Sequence, residues 1–130
     1  MCGIFAVIGS REVSSTIIDG LRKLEYRGYD SAGIATIDSS NNNQISKLNI
    51  IKSSGKLINL SNLIKENTPK GYVGFGHTRW ATHGKPNERN SHPHVDFSGQ
   101  IAVVQNGIIE NYRDLSESLK LKGIKFNSET

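Results

Sequence analysis

The apolar positions of this chain change period several times, and each change marks an element. Residues 3–8 form a short continuous apolar run closed by Gly9 and Ser10, which predicts a buried strand. Over residues 13–26, Ile17, Ile18, Leu21 and Leu24 fall on one face at helical spacing, with Arg22, Lys23 and Glu25 opposite, so an amphipathic helix is expected. The run Tyr26-Arg27-Gly28-Tyr29-Asp30-Ser31-Ala32-Gly33 follows. Its two glycines predict a loop whose backbone takes unusual angles or approaches something closely. Residues 33–37 and 45–52 read as a strand and its return, joined across 38–46 by an exposed polar turn. Residues 56–66 predict a helix with Leu57, Leu60, Leu63 and Ile64 on one face, stopped by Thr68-Pro69-Lys70-Gly71. Residues 72–78 predict another strand, in which Gly74 and Gly76 imply close packing. Residues 77–94 are polar, rich in histidine and interrupted by Pro86 and Pro93, the mark of a long loop that is either functional or disordered. A strong strand is expected at 100–105, ending in Asn106-Gly107. A helix then starts at its cap Asn111, with Asp114 three residues on; Tyr112, Leu115 and Leu119 form its apolar side and Gly123 its stop. Ile124 and Phe126 predict the start of one more short strand.

Composition narrows this picture. The 130 residues suit one domain with a core of its own. The net charge of +4 is spread along the chain with no basic stripe carrying interleaved aromatics. That fits general solubility or affinity for an acidic small molecule, and leaves nucleic acid unsupported as a partner. Cys2 is the single cysteine, which rules out an internal disulfide framework and fits a reducing, cytoplasmic setting. The N-terminus lacks a secretory pattern, and the longest apolar run, Ile4 to Ile8, is too short to span a bilayer.

The candidate chemistry begins at Met1-Cys2-Gly3-Ile4. If Met1 is removed, Cys2 carries a thiol and a free α-amine together. The thiol is a strong nucleophile, and an α-amine with a reference pKa of roughly 7.7–8.0 suits a general base. The run His77-Thr78-Arg79-Trp80-Ala81-Thr82-His83-Gly84 holds the densest further potential. Arg79 offers a planar fork for a carboxylate, Thr82 and His83 add donors, and Trp80 can cover a ligand. All four histidines, His77, His83, His92 and His94, lie in this region. Their spacings match no zinc signature, and no metal is expected. Asn106 and Gly107 can supply a side-chain amide and a backbone N–H to a developing oxyanion. Arg27, beside Gly28, either braces the N-terminal cysteine or forms a surface pair with Asp30.

Together, Met1–Ile4, Tyr26–Gly33, His77–Gly84, Asn106–Asn111 and Ser128-Glu129-Thr130 resemble the glutaminase domains of the glutamine–fructose-6-phosphate aminotransferases. These are class II glutamine amidotransferases of the N-terminal-nucleophile hydrolase type. The resemblance covers essentially the whole chain. It implies an α+β fold, a four-layer α/β/β/α sandwich incomplete at the C-terminal end. It also implies that residues 1–130 are a partial type-2 glutamine amidotransferase domain, with the sugar isomerase domains absent. Cys2 would attack the glutamine side-chain amide and its α-amine would move the proton, while Asn106 and Gly107 form the oxyanion hole. Arg79, Thr82 and His83 would hold the substrate's α-carboxylate, Trp80 would close the site, and Arg27 would lie close to the nucleophile. In such enzymes the ammonia converts fructose 6-phosphate to glucosamine 6-phosphate. The resemblance calls for no cofactor, glutamine as small-molecule substrate, no nucleic acid or membrane partner, and a possible homodimer in the full-length enzyme.

Two departures accompany it. Gln105 stands where relatives commonly carry His, and the Asp that follows Ser-Glu-Thr to bind the substrate amine has no position after Thr130. The chain alone is therefore not expected to make the amino sugar, and open sheet edges with an uncovered apolar face are expected. Two alternatives stand beside the glutaminase: an inactive remnant or in-trans binding piece of that enzyme, and part of another class II amidotransferase such as an amidophosphoribosyltransferase.

Overall fold

In the computed structural model, which describes residues 1–38 and 46–130, a four-stranded antiparallel sheet carries two helices on one face. Chain order runs β1 (Gly3–Ile8), α1 (Ser14–Arg22), a 3-10 turn (Glu25–Arg27), β2 (Ser31–Asp38), β3 (Lys47–Ser54), α2 (Leu57–Glu66) and β4 (Val73–Arg79). A two-residue hairpin of β5 (His94–Val95) and β6 (Ala102–Val103) and then α3 (Tyr112–Leu121) follow. The sheet order is β1-β4-β2-β3, with Ile4 opposite His77 and Gly33 opposite His77 on either side of β4.

The core lies between the sheet and α1 and α2. Val13, Ile17, Ile18 and Leu21 meet Leu57, Leu60 and Ile64 over Ala32 and Ile34, with Phe5, Val7 and Ile51 at the edge. Burying each of the larger side chains contributes about 1.5–3 kcal/mol. Gly76 leaves room for α1: a Cβ there would meet Ile17 and Leu21 side-chain atoms at 2.6 and 2.7 Å. Side chains alternate across a strand, so this contact fixes the facing of the whole sheet. Even positions of β4 face the helices, and His77 and Arg79 point to the opposite face. In β1 Phe5 packs on Gly20 of α1, which sends Cys2, Ile4, Ala6 and Ile8 to that same opposite face.

Most expected elements are present, with informative differences. The expected buried strand at 3–8 is covered on one face only, with Ile4 39% and Ile8 81% exposed. The first helix stops at Arg22 and the chain passes into the 3-10 turn, so Leu24 packs from outside the helix, beside Gly3. Leu63 is exposed, unlike its α2 companions Leu57, Leu60 and Ile64. Most of the predicted turn at 38–46 lies outside the described residues.

The strand expected at 100–105 shrinks to Ala102–Val103. Its partner β5 is bounded by Pro93, which has no N–H to donate, and by Asp96, whose carboxylate accepts from the backbone N–H groups of Ser98, Gln100 and Ile101. That turn ends the ladder after two residue pairs. Asn111 does sit at the N-cap of α3, but its side chain makes no capping bond. The stop at Gly123 is as expected: its φ is +84°, and Ile124 N–H reaches Leu119 C=O at 3.1 Å. Ile124 and Phe126 form no strand, and α3 buries no residue. Among the described residues no helix is long and apolar enough to cross a membrane.

Candidate active site

The site lies at the end of the sheet where β1 begins and β4 ends. Cys2 precedes β1 by one residue, and Trp80 follows β4 by one. The antiparallel register, Gly3 opposite Thr78, sets the two side by side. Trp80 N–H points at Cys2 Sγ from 3.3 Å, and the thiol is 3.7 Å from Trp80 C=O. From the chain's other end, Asn106 Nδ2 donates to the Cys2 carbonyl at 3.0 Å. Gly107 makes no backbone hydrogen bond among the described residues, so its N–H remains available beside Asn106.

The Tyr26–Gly33 segment braces this arrangement. The φ of Gly28 is −173°, an extended conformation open to any residue; its role is close approach. A Cβ at Gly28 would lie 2.6 Å from Arg79 C and 2.9 Å from Trp80 N, the same peptide unit that faces the thiol. At Gly33 a Cβ would lie 2.3 Å from His92 C=O, so the predicted close approaches occur at both glycines. Asp30 Oδ2 accepts from Ala81 N–H, and Asp30 N–H donates to Arg79 C=O at 3.2 Å. Of the two readings of Arg27, the surface pair with Asp30 does not form; Arg27 Nη2 lies 3.7 Å from Met1 Sδ. Tyr29 packs edge-on against Trp80, ring centroids 5.3 Å apart.

An open cleft of about 350 Å³ adjoins Trp80, lined by Tyr29, Asp30, Ala81, Thr82, His83 and Gly84 among others. Of the four residues read as glutamine-holding, Trp80, Thr82 and His83 border the cleft, and Arg79 is not among its lining residues. Arg79 is 5% exposed. Its Nη1 donates to Lys85 C=O at 3.2 Å and its Nη2 to His83 C=O at 2.5 Å. No carboxylate among the described residues lies within 4.0 Å of the guanidinium. A buried cation with only carbonyl partners is an incomplete electrostatic arrangement that favours an incoming anion.

Three histidine rings lie in a row, His77 tilted against His92 and His92 edge-on to His94. His77 and His92 have centroids 4.2 Å apart, and His92 and His94 4.4 Å. Burial, reinforced by the neighbouring rings and Arg79, pushes His92 down to about 3, and burial is also the main cause that takes His77 down to about 4. His94 is lowered as well, by burial and by Lys52 and Arg79. His77 Nδ1 and His92 Nδ1 are buried without partners, and no group of three His, Cys, Asp or Glu among the described residues is arranged to hold a metal.

Sequence reasoning did not name Asn90 and missed the roles of Asp30 and His77 in this region. Asp30 grips the Trp80–Ala81 turn, and Asn90 ties Lys85 C=O to Glu129 through both its amide groups. His77 reaches Asn106 at 2.9 Å. Only His77 left a usable signal: it shares strand parity with Arg79.

No protein-family model matches the chain. Over 130 residues it is 52% identical to the glutamine–fructose-6-phosphate aminotransferase [isomerizing] of Clostridium acetobutylicum. Over 133 residues it is 54% identical to the enzyme of that name from Gloeobacter violaceus. Both alignments take in all of this chain and 20% of the relative, so the chain spans about a fifth of the length of these curated relatives. Among solved structures, a glutamine phosphoribosylpyrophosphate amidotransferase from B. subtilis matches with a TM-score of 0.79 at 26% identity, over 100% of this chain and 27% of that one. A structure described as the allosteric regulatory enzyme of purine biosynthesis gives a TM-score of 0.79 at 27% identity.

Proposed function

As the chain belongs to the glutamine–fructose-6-phosphate aminotransferase family and carries part of the N-terminal-nucleophile amidotransferase fold, we propose that it holds the glutaminase centre of such an enzyme. The observation that carries this reading is the meeting of three distant stretches of chain at Cys2, with Trp80 N–H at its sulfur and Asn106 Nδ2 at its carbonyl.

Removal of Met1 frees the α-amine of Cys2. The thiol attacks the side-chain amide carbon of glutamine while the α-amine takes its proton. The carbonyl oxygen becomes an oxyanion, received by the second N–H of Asn106 and by Gly107 N–H. The intermediate collapses as the C–N bond breaks, and the α-amine delivers the proton to the departing ammonia. A γ-glutamyl thioester on Cys2 remains. Water attacks it through the same oxyanion hole, releasing glutamate and restoring the thiol. The unpaired guanidinium of Arg79, with Thr82 and His83 at the cleft, serves the α-carboxylate of glutamine, and Trp80 hinged against Tyr29 covers the site. Arg27 lies beside the N-terminus, 3.7 Å from Met1 Sδ, a contact that leaves with Met1. The chain is read as a partial type-2 amidotransferase domain, working in the cytoplasm. Its ammonia serves amination of fructose 6-phosphate on an isomerase domain outside this chain, in an enzyme that pairs as a homodimer. Identities of 52% and 54% to aminotransferases, against 26% to the phosphoribosylpyrophosphate enzyme, favour that acceptor.

The test grafts this chain in place of the matching stretch of the Clostridium acetobutylicum relative. Intact mass should show loss of Met1, and glutamine should yield ammonia and a transient acyl adduct on Cys2. Cys2→Ala should abolish both. Retained methionine, or ammonia release surviving Cys2→Ala, overturns the reading.

A further inference from the structure

Asn106 can serve an oxyanion only if its amide is turned the right way, and the structure contains a chain of bonds that sets the turn. The Cys2 carbonyl can only accept a hydrogen bond, so the group facing it at 3.0 Å is the Asn106 NH2. The Asn106 oxygen then faces His77 Nε2 at 2.9 Å. An amide oxygen also only accepts, so Nε2 carries the proton. The other ring nitrogen, Nδ1, is buried with no partner among the described residues. Held down to about pKa 4 by burial, the ring is neutral near pH 7 and carries its one proton on Nε2.

We infer that His77 is a positioning residue for the oxyanion hole: its Nε2–H fixes the Asn106 amide so that an N–H, and not the amide oxygen, meets the developing negative charge. The inference rests on the glutaminase reading above. His77 can do this because it is immobile. It is 0% exposed on β4, the strand paired on both sides, and Gly33 across the register leaves space for the His92 segment that backs it. Asn106, by contrast, is exposed and sits outside any helix or strand. Its orientation comes from two bonds, one to Cys2 and one to His77. Losing the second allows a flip that places a partial negative charge against the oxyanion.

The same chimera tests this with two variants and two reactions. Glutamine hydrolysis passes through an oxyanion, whereas alkylation of Cys2 by iodoacetamide, a displacement at a CH2 carbon, does not. His77→Phe should lower kcat about tenfold, the scale of one net hydrogen bond, with KM for glutamine and the iodoacetamide rate changed less than about twofold. His77→Gln, which restores an N–H donor, should recover most of the lost kcat. Equal slowing of both reactions, a KM change without a kcat change, no effect of His77→Phe, or failure of His77→Gln to rescue would each overturn the role of His77 alone. Hydrolysis that survives Cys2→Ala would instead remove the glutaminase reading beneath it.

Discussion

At the scale of single residues, the site depends on a few backbone approaches that tolerate little. Gly28 abuts the Arg79–Trp80 peptide, and the clash that Gly28→Ala introduces is with backbone. The Trp80 N–H must then shift away from Cys2. Glutamine hydrolysis by the chimera should fall by about 10²-fold, the scale of a 1 Å misplacement, without loss of fold by circular dichroism. Arg79→Lys keeps the charge but cannot span the carbonyls of His83 and Lys85 with a fork. On the proposed glutaminase reading the lost contacts include a charge-assisted bond to the substrate, so KM for glutamine should rise about tenfold or more, with a smaller change in kcat. The row of histidines makes the fold sensitive to acid. His77 and His92 titrate in the folded chain at about 4 and 3, below the unfolded value of roughly 6.5. The unfolded chain therefore takes up protons that the folded chain refuses. Stability is unaffected above about pH 6.5 and falls as the pH drops toward 4, at up to ~1.4 kcal/mol per unit for the buried His77 ring. The urea midpoint of the chain should decline between about pH 6.5 and pH 4.5, and less so in His77→Gln.

At the scale of elements, the structure divides into a well-packed sheet with its two helices and a less-supported C-terminal part. β4 is paired on both sides, and α1 and α2 bury their apolar stripes. α3 buries nothing, with Tyr112 and Leu115 each 46% exposed. Its motif was legible because capping position, apolar spacing and Gly123 are local features. Its lack of packing was not, because spacing says which face is apolar and nothing about what covers it. Amide exchange should accordingly be slowest in β2 and β4 and fastest in α3. Rates in α3 as slow as those in β4 would contradict this. Asn106 stands between the two regions and is tied to the first by His77 and Cys2.

At the scale of the molecule, the sheet face opposite the helices is left partly open at its apolar positions. Ile4, Ile8, Ile37 and Val73 are between 37% and 81% exposed there. Apolar patches of this kind promote association. The chain alone should bind a hydrophobic dye and show concentration-dependent association in sedimentation velocity, and the full-length chimera should bind the dye much less.

The sequence by itself determined the order of strands and helices, the glycines that admit close approaches, and the cysteine, arginine and asparagine from which the site is built. Those follow from periodicity, turn chemistry and side-chain chemistry, which act over a few neighbouring residues. Only the tertiary structure decided that β1 and β4 lie side by side, that Arg79 is buried without a counter-ion among the described residues, and that Asp30 holds the turn after Trp80. It alone decided that Asn106 reaches a cysteine 104 positions away with His77 behind it. Each of those depends on which strands pair and in what register, a choice made by the whole buried surface at once and written in no single stretch of chain.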